Sequence, residues 1–181
     1  LAQSLCLGML FLFLSMTQQI FDVTFGRGDS FALWFGAVAI VAATSGVVNA
    51  TLVVRLGMVV LVRAMLAAQI VFSGVFSILW VMQLPIDIMF VAFILWKTTI
   101  FYQAGMTLGN LNALAMEPIG HIAGIGASVI GSVSTVLAMV FVIPVGLAFD
   151  GTPLPLGLGV LVMATGALIL VTRAGLAAQN S

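Results

Sequence analysis

The chain has 181 residues, of which 63% are hydrophobic and 6% charged, and its formal net charge is zero. A soluble domain carries roughly 25% charged residues, and a soluble fold this poor in charge could not cover its surface, whereas in lipid the outside can be as apolar as the core. Neutrality leaves no basic footprint for nucleic acid, and a single cysteine (Cys6) with a single histidine (His121) excludes an intrachain disulfide and argues against a metal site.

A membrane-spanning helix needs roughly 20 mostly apolar residues, and six runs meet that length. The first spans residues 5–25 and ends at GRGDS, residues 26–30. The second spans 31–54 and stops at Arg55 and Gly57. The third spans 58–82, carries Arg63 one turn inside, where a long side chain can snorkel to the headgroups, and stops at Gln83 and Pro85. The fourth spans 86–113 and is closed by MEPIGH, residues 116–121. The fifth spans 122–149 with Pro144 inside, and the turn DGTP, residues 150–153, follows. The sixth spans 154–171 and stops at Arg173. The expected fold is therefore an all-α membrane protein, a single bundle of six transmembrane helices over residues 1–181, with the lipid bilayer as its first partner.

With six spans both termini share one side. Arg55, Arg63 and Arg173 fall on it and Arg27 falls on the other, which predicts cytoplasmic termini. No signal peptide is visible, and a chain that opens on Leu1 reads as starting inside a longer protein.

Polar residues within the spans are the functional candidates. The first helix carries Ser15, Gln18, Gln19 and Asp22, spaced as one helix face. The fourth carries Thr99, Gln103, Met106 and Asn110 on one face, flanked by Tyr102 and Thr107. Such groups either bond across helices as glue or line an aqueous cavity. The pairing of two stripes favours a cavity if the chain is two three-helix repeats, residues 1–84 and 85–181, because the first and fourth helices are then equivalents and inverted repeats place a binding site at their interface. Asp22 is either a proton or cation site or a solvated helix end. Lys97 is costly inside a span and so a candidate for coupling or an ion pair; on a regular helix it points away from the Gln103 stripe, toward Phe93, Ile100 and Phe101, where it either snorkels outward or pairs with an acid.

The fifth helix has small residues at Gly120, Gly124, Ser128 and Ser132, and the second has Gly36, Ala39, Ala43, Gly46 and Ala50. Small residues at this spacing let helix backbones approach, so both faces are expected to pack. Enzyme signatures are missing. Ser128 has no GxSxG context, His121 stands alone, and no P-loop, dinucleotide or paired-carboxylate pattern occurs, so neither catalysis nor a cofactor is expected.

The run GMTLGNLNALAMEPIGHIAGIGASVIGSVST, residues 105–135, resembles the tenth-to-eleventh helix region of major facilitator superfamily transporters, and is most similar to the Bcr/CflA-type branch of drug:proton antiporters. NATLVVRLGM, residues 49–58, resembles the eighth-to-ninth helix connection, and FDGTPLPL, residues 149–156, the last outer loop. The resemblance covers nearly the whole chain as a C-terminal half. It implies a twelve-helix carrier of the bacterial inner membrane that exports small amphipathic compounds in exchange for protons by alternating access. The first and fourth helices here would be its cavity-lining seventh and tenth. The N-terminal six helices, or a second chain, would be the missing partner. Relatives continue after RLGM with basic residues, where this chain has Val59 and Val60. The rival expectation is a non-transporting membrane remnant or an interaction subunit pairing with another six-helix chain.

Overall fold

In a computed structural model, residues 1–117 and 123–179 are described, and their regular elements are all helical. In chain order they are α1 (Ala2–Gln19) with a π-helical turn (Ile20–Thr24), a short 3-10 turn (Gly28–Ser30), α2 (Phe31–Leu56), α3 (Met58–Val81), α4 (Ile86–Met116), α5 (Ala123–Leu147) and α6 (Leu154–Gln179). All six long helices are long and apolar enough to cross a membrane, with mean hydropathy from 1.3 to 2.3. The protein is an all-α, six-helix integral membrane protein.

The connections follow the turn chemistry. Gly57 alone joins α2 to α3, at φ +81 and ψ 155, a conformation that L side chains rarely adopt. Between α1 and α2, Gly28 lets the chain pass the Asp22 carboxylate, since a Cβ there would lie 2.9 Å from Asp22 Oδ1. Thr24 Oγ1 donates to the Gly151 carbonyl at 2.7 Å, tying the end of the π turn to the α5–α6 loop. Arg27 forms an ion pair with Asp87 of the first turn of α4 at 2.7 Å, and its guanidinium stacks over Phe90 at 4.3 Å.

α1 is the central helix. It packs against α4, α5 and α6, while α4 packs against α1, α2 and α3, and α3 packs against α6. Exchanging α1 with α4, α2 with α5 and α3 with α6 returns the same set of principal contacts. In its most apolar window α1 is 61% buried, against 11% for α2 and 17% for α5, so α2 and α5 stand largely uncovered. The core runs down α1 through Cys6, Met9, Leu12, Phe13, Ile20 and Phe21, all fully buried. An aromatic cluster joins α1 to α3 and α4, with Phe76 and Trp96 stacked at 4.2 Å and Phe13, Phe21 and Phe25 around Phe93. Such pairs add about 0.5–1.5 kcal/mol each beyond their buried area.

Close helix contacts use glycines the sequence did not single out for packing. A Cβ on Gly105 of α4 would overlap the Ser45 side chain of α2, and one on Gly159 of α6 would lie 2.7 Å from Val145 of α5 and 3.1 Å from Leu12 of α1. The expected packing ladder of α5 is placed differently. Gly124, Ser128 and Ser132 are exposed, and a Cβ on Gly124 would meet nothing within 4 Å among the described residues. α5 instead turns Ser134, Ala138 and Val142 inward, toward α1, where the backbone of Ala138 lies beside Gly8. The α2 series Gly36, Ala39, Ala43, Gly46 and Ala50 is exposed as well, because α2 buries its Val38 and Ser45 side. Within this chain neither small-residue face is a helix contact. Gly120 and His121 lie outside the described residues.

Candidate functional site

The two polar stripes have opposite fates. On α1, Ser15, Gln18, Gln19 and Asp22 are all exposed. This runs against the pattern of a lipid-facing helix, since these four polar side chains share the outer side with Leu14 and Val23 while Met9, Leu12, Phe13, Met16 and Ile20 are buried. Ser15 Oγ donates to the Leu12 carbonyl at 2.9 Å, a bond within its own helix, and leaves the face otherwise open. The π turn that ends the first span carries Asp22.

On α4 the stripe turns inward. Gln103 is buried, with Nε2 donating to Thr107 Oγ1 at 2.7 Å and pointing at Cys6 Sγ of α1 at 3.7 Å. Asn110 is buried too, and its Nδ2 donates to Asn49 Oδ1 of α2 at 2.8 Å and to the Met106 carbonyl at 2.8 Å. Thr99 and Tyr102 are half-buried and line a groove of about 340 Å³ between α3 and α4, with Gln69 and Phe72 opposite. The four α1 residues and the Gln103–Asn110 pair therefore do not meet on one surface. The physical reason is that α4 places this stripe where α1 and α2 cross it, so its amide N–H groups bond Thr107, Asn49 and the Met106 carbonyl instead of water, while Gln103 Oε1 is left without a partner among the described residues.

Lys97 neither snorkels nor pairs with an acid. It is fully buried, and its Nζ has no hydrogen-bond partner among the described residues. Four phenyl rings surround it. The Nζ lies 4.7 Å from the centroid of Phe35, 5.1 Å from Phe21, 5.4 Å from Phe13 and 5.5 Å from Phe31. Cation–π contacts act within about 6 Å of a ring centroid and contribute about 0.5–2 kcal/mol each. Four of them, even at the lower figure, give about 2 kcal/mol, comparable with the roughly 2.5–3.5 kcal/mol that a lysine costs at the centre of a span. The rings come from α1 and α2. The sequence signals for the box are the i, i+4 pair Phe31 and Phe35 and the two-turn pair Phe13 and Phe21, which are indistinguishable in sequence from ordinary apolar packing.

Ser73 escaped the sequence reading, and Arg63 is placed differently from its expectation. Ser73 of α3 accepts from Gln69 Nε2 at 3.2 Å and from Trp96 Nε1 at 3.1 Å, which pins α3 to α4. Arg63, expected to reach the headgroups, donates from Nη2 to the Thr172 carbonyl of α6 at 3.0 Å. Gly175 gives it room, since a Cβ there would sit 2.5 Å from Nη2. At the end of the bundle that holds the N-terminus, a cavity of about 720 Å³ is lined by Gln3, Ser4, Leu111, Val133, Ser134 and Val171 among others. Among the described residues no cluster of His, Cys, Asp or Glu could hold a metal.

In comparison with known proteins, no family model matches the chain, and neither a curated protein nor a solved structure is significantly similar to it.

Proposed function

We propose that this chain is half of a secondary active transporter that moves small amphipathic compounds, in the direction of export and in exchange for protons, by alternating access. The observation that carries the reading is α1. The most buried helix of the bundle exposes Ser15, Gln18, Gln19 and Asp22, and a face of that kind belongs against water or another polar surface. Burying it against lipid would cost about 1–3 kcal/mol for each unpaired group. The exchange symmetry of the packing supports two three-helix repeats, residues 1–84 and 85–181, the arrangement from which half of a twelve-helix major facilitator carrier is built. The uncovered small-residue faces of α2 and α5 fit close contact with a second six-helix body. In this reading the chain lies in a bacterial inner membrane with both termini in the cytoplasm, and Asp22 carries the proton.

The same uncovered faces favour the second reading, an interaction subunit that pairs with another membrane protein and transports nothing. Inverted membrane vesicles holding the chain, alone or with a second six-helix chain, separate the two. A proton gradient should drive accumulation of a lipophilic fluorescent dye, and Asp22→Asn should abolish it. Correctly inserted chain with no gradient-driven movement in either setting overturns the carrier reading and leaves the interaction subunit.

A further inference from the structure

The Lys97 box has a chemistry of its own. Aromatic faces carry negative potential, and a box of them is a recognition device for cations, quaternary ammonium groups above all. Rings satisfy the charge of an ammonium but offer no lone pairs to its three N–H donors. Lys97 thus sits in a site matched to a cation that has no N–H to satisfy, and it is an imperfect occupant of that site. An anion would be repelled by the same ring faces.

The box lies near the surface of the bundle on the α2 side. Phe13 and Phe21 belong to the buried side of α1, but Phe31 and Phe35 are half-buried and lie on α2, the least covered helix. The loop leading into α2 brings acids to that end. Asp22 is exposed, follows Phe21 directly, and packs against Gly28, three residues before Phe31. Asp29 beside it is exposed as well, while the nearby cation Arg27 is held by Asp87. A positively charged ligand approaching the α2 side meets uncompensated carboxylates first and the ring faces behind them.

We propose that Phe13, Phe21, Phe31 and Phe35 form a binding cage for the ammonium head of a lipophilic cation, and that Lys97 is the tethered cation occupying the cage when no ligand does. Two positive charges cannot share a cage of this size, so the ligand displaces the lysine head. The displaced ammonium moves along its flexible stem to the acids at the mouth, which is a change of position with no bond made or broken. This names the compound class of the carrier reading and rests on it for the direction of movement; the cage itself is a claim about binding.

The test is therefore binding, measured on the purified full chain in mild detergent by isothermal titration with benzyltrimethylammonium. Removing the tethered competitor should tighten binding, so Lys97→Ala should bind at least about tenfold more tightly than wild type, the equivalent of one desolvated cation–π contact. Adding Phe35→Ala to Lys97→Ala should return the affinity toward the wild-type value. Lys97→Ser also removes both the charge and the bulk from the cage, and it reads the same answer if the alanine variant does not fold. Equal or weaker binding by whichever variant folds overturns the proposal. So does the reverse selectivity, in which wild type binds benzoate and Lys97→Ala loses it, because the lysine would then be an anion receptor. A chain that gains the cation on Lys97→Ala yet moves no dye in vesicles keeps the cage and loses only the carrier reading.

Discussion

Gly159 and Gly124 are both helical glycines in apolar surroundings, and the structure assigns them opposite consequences. A Cβ on Gly159 would lie 2.7 Å from Val145 Cγ1, 3.1 Å from Val145 Cγ2 and 3.1 Å from Leu12 Cδ2, so it is confined from two helices at once. Val145 is β-branched and cannot swing away without turning its second methyl into the same space. Gly159→Val adds three carbons to this contact. Overpacking of this kind costs about 1–3 kcal/mol, and the gain in helix propensity over glycine returns only a few tenths of a kcal/mol. At roughly 2–4 °C per kcal/mol for a chain of this size, the upper end of that range corresponds to a fall in Tm of about 6–12 °C. A Cβ on Gly124 meets no atom of the described residues within 4 Å, and Gly124→Val should leave Tm unchanged. Tryptophan fluorescence of the purified chain during heating in detergent gives both values, with Trp34, Trp80 and Trp96 as reporters. Equal midpoints for the two variants, or a larger fall for Gly124→Val, would refute the assignment of α6 against α5 and α1 and restore the α5 ladder as an internal contact.

Asn110→Leu and Asn49→Ala should couple in a double-mutant cycle by about 0.6 kcal/mol, and at most about 1.7, as hydrogen bonds between membrane helices do; a coupling of zero, read by denaturant unfolding in bicelles, would remove the α2–α4 bond. With Cys6 replaced, single cysteines at Gln18 and Asp22 should react with a water-soluble thiol reagent, while cysteines at the buried positions Gln103 and Asn110 should stay inert; uniform reactivity would place all four on one aqueous surface. The Asp150 carboxyl is held below the usual carboxylate range, first by the Thr152 hydroxyl and then by the Thr152 amide. Its turn is therefore supported at pH values above the ordinary aspartate pKa of about 3.9 and loses that support as pH falls through the depressed value; Thr152→Val should raise the Asp150 midpoint in a carboxyl carbon NMR titration, and an unmoved midpoint would refute the cause.

The spans were legible because hydrocarbon thickness fixes their length, and the punctuation GRGDS, Gly57, Pro85 and DGTP falls between observed helices. The last helical turn of α4 was missed, since Leu114, Ala115 and Met116 are neither more nor less apolar than a loop entrance requires. The inward faces were much less legible. A water-soluble helix declares its core side by amphipathicity, but lipid and core are equally apolar, and a helix such as α5 offers no contrast between the face at Ser134 and Ala138 and the face at Gly124 and Ser128. Small residues were the sequence guide to packing, and they mark any close approach, including one to a body outside the chain. Polar stripes located real faces without saying what each face meets. Gln103 and Asn110 have the same spacing as Ser15 and Asp22, and the difference lies in which neighbour crosses α4, a tertiary fact.

The two cations inside the spans show which of these polar residues belong to the fold and which exceed its needs. Arg63 donates from Nη2 to the Thr172 carbonyl at the end of α6, in a place opened by Gly175, and so acts as a strut between α3 and α6, while its Nε has no partner among the described residues. Lys97 has rings for its charge and nothing for its N–H groups. Replacing a buried charge by an apolar residue of like volume is often neutral or stabilising, and a methionine would fill the same box without an unpaired ammonium. Packing alone therefore gives no reason for a lysine at this position. The proposed cage supplies a reason that packing does not, the charge itself, held where Phe13 and Phe21 on the α1 side and Phe31 and Phe35 of α2 surround the Lys97 Nζ of α4.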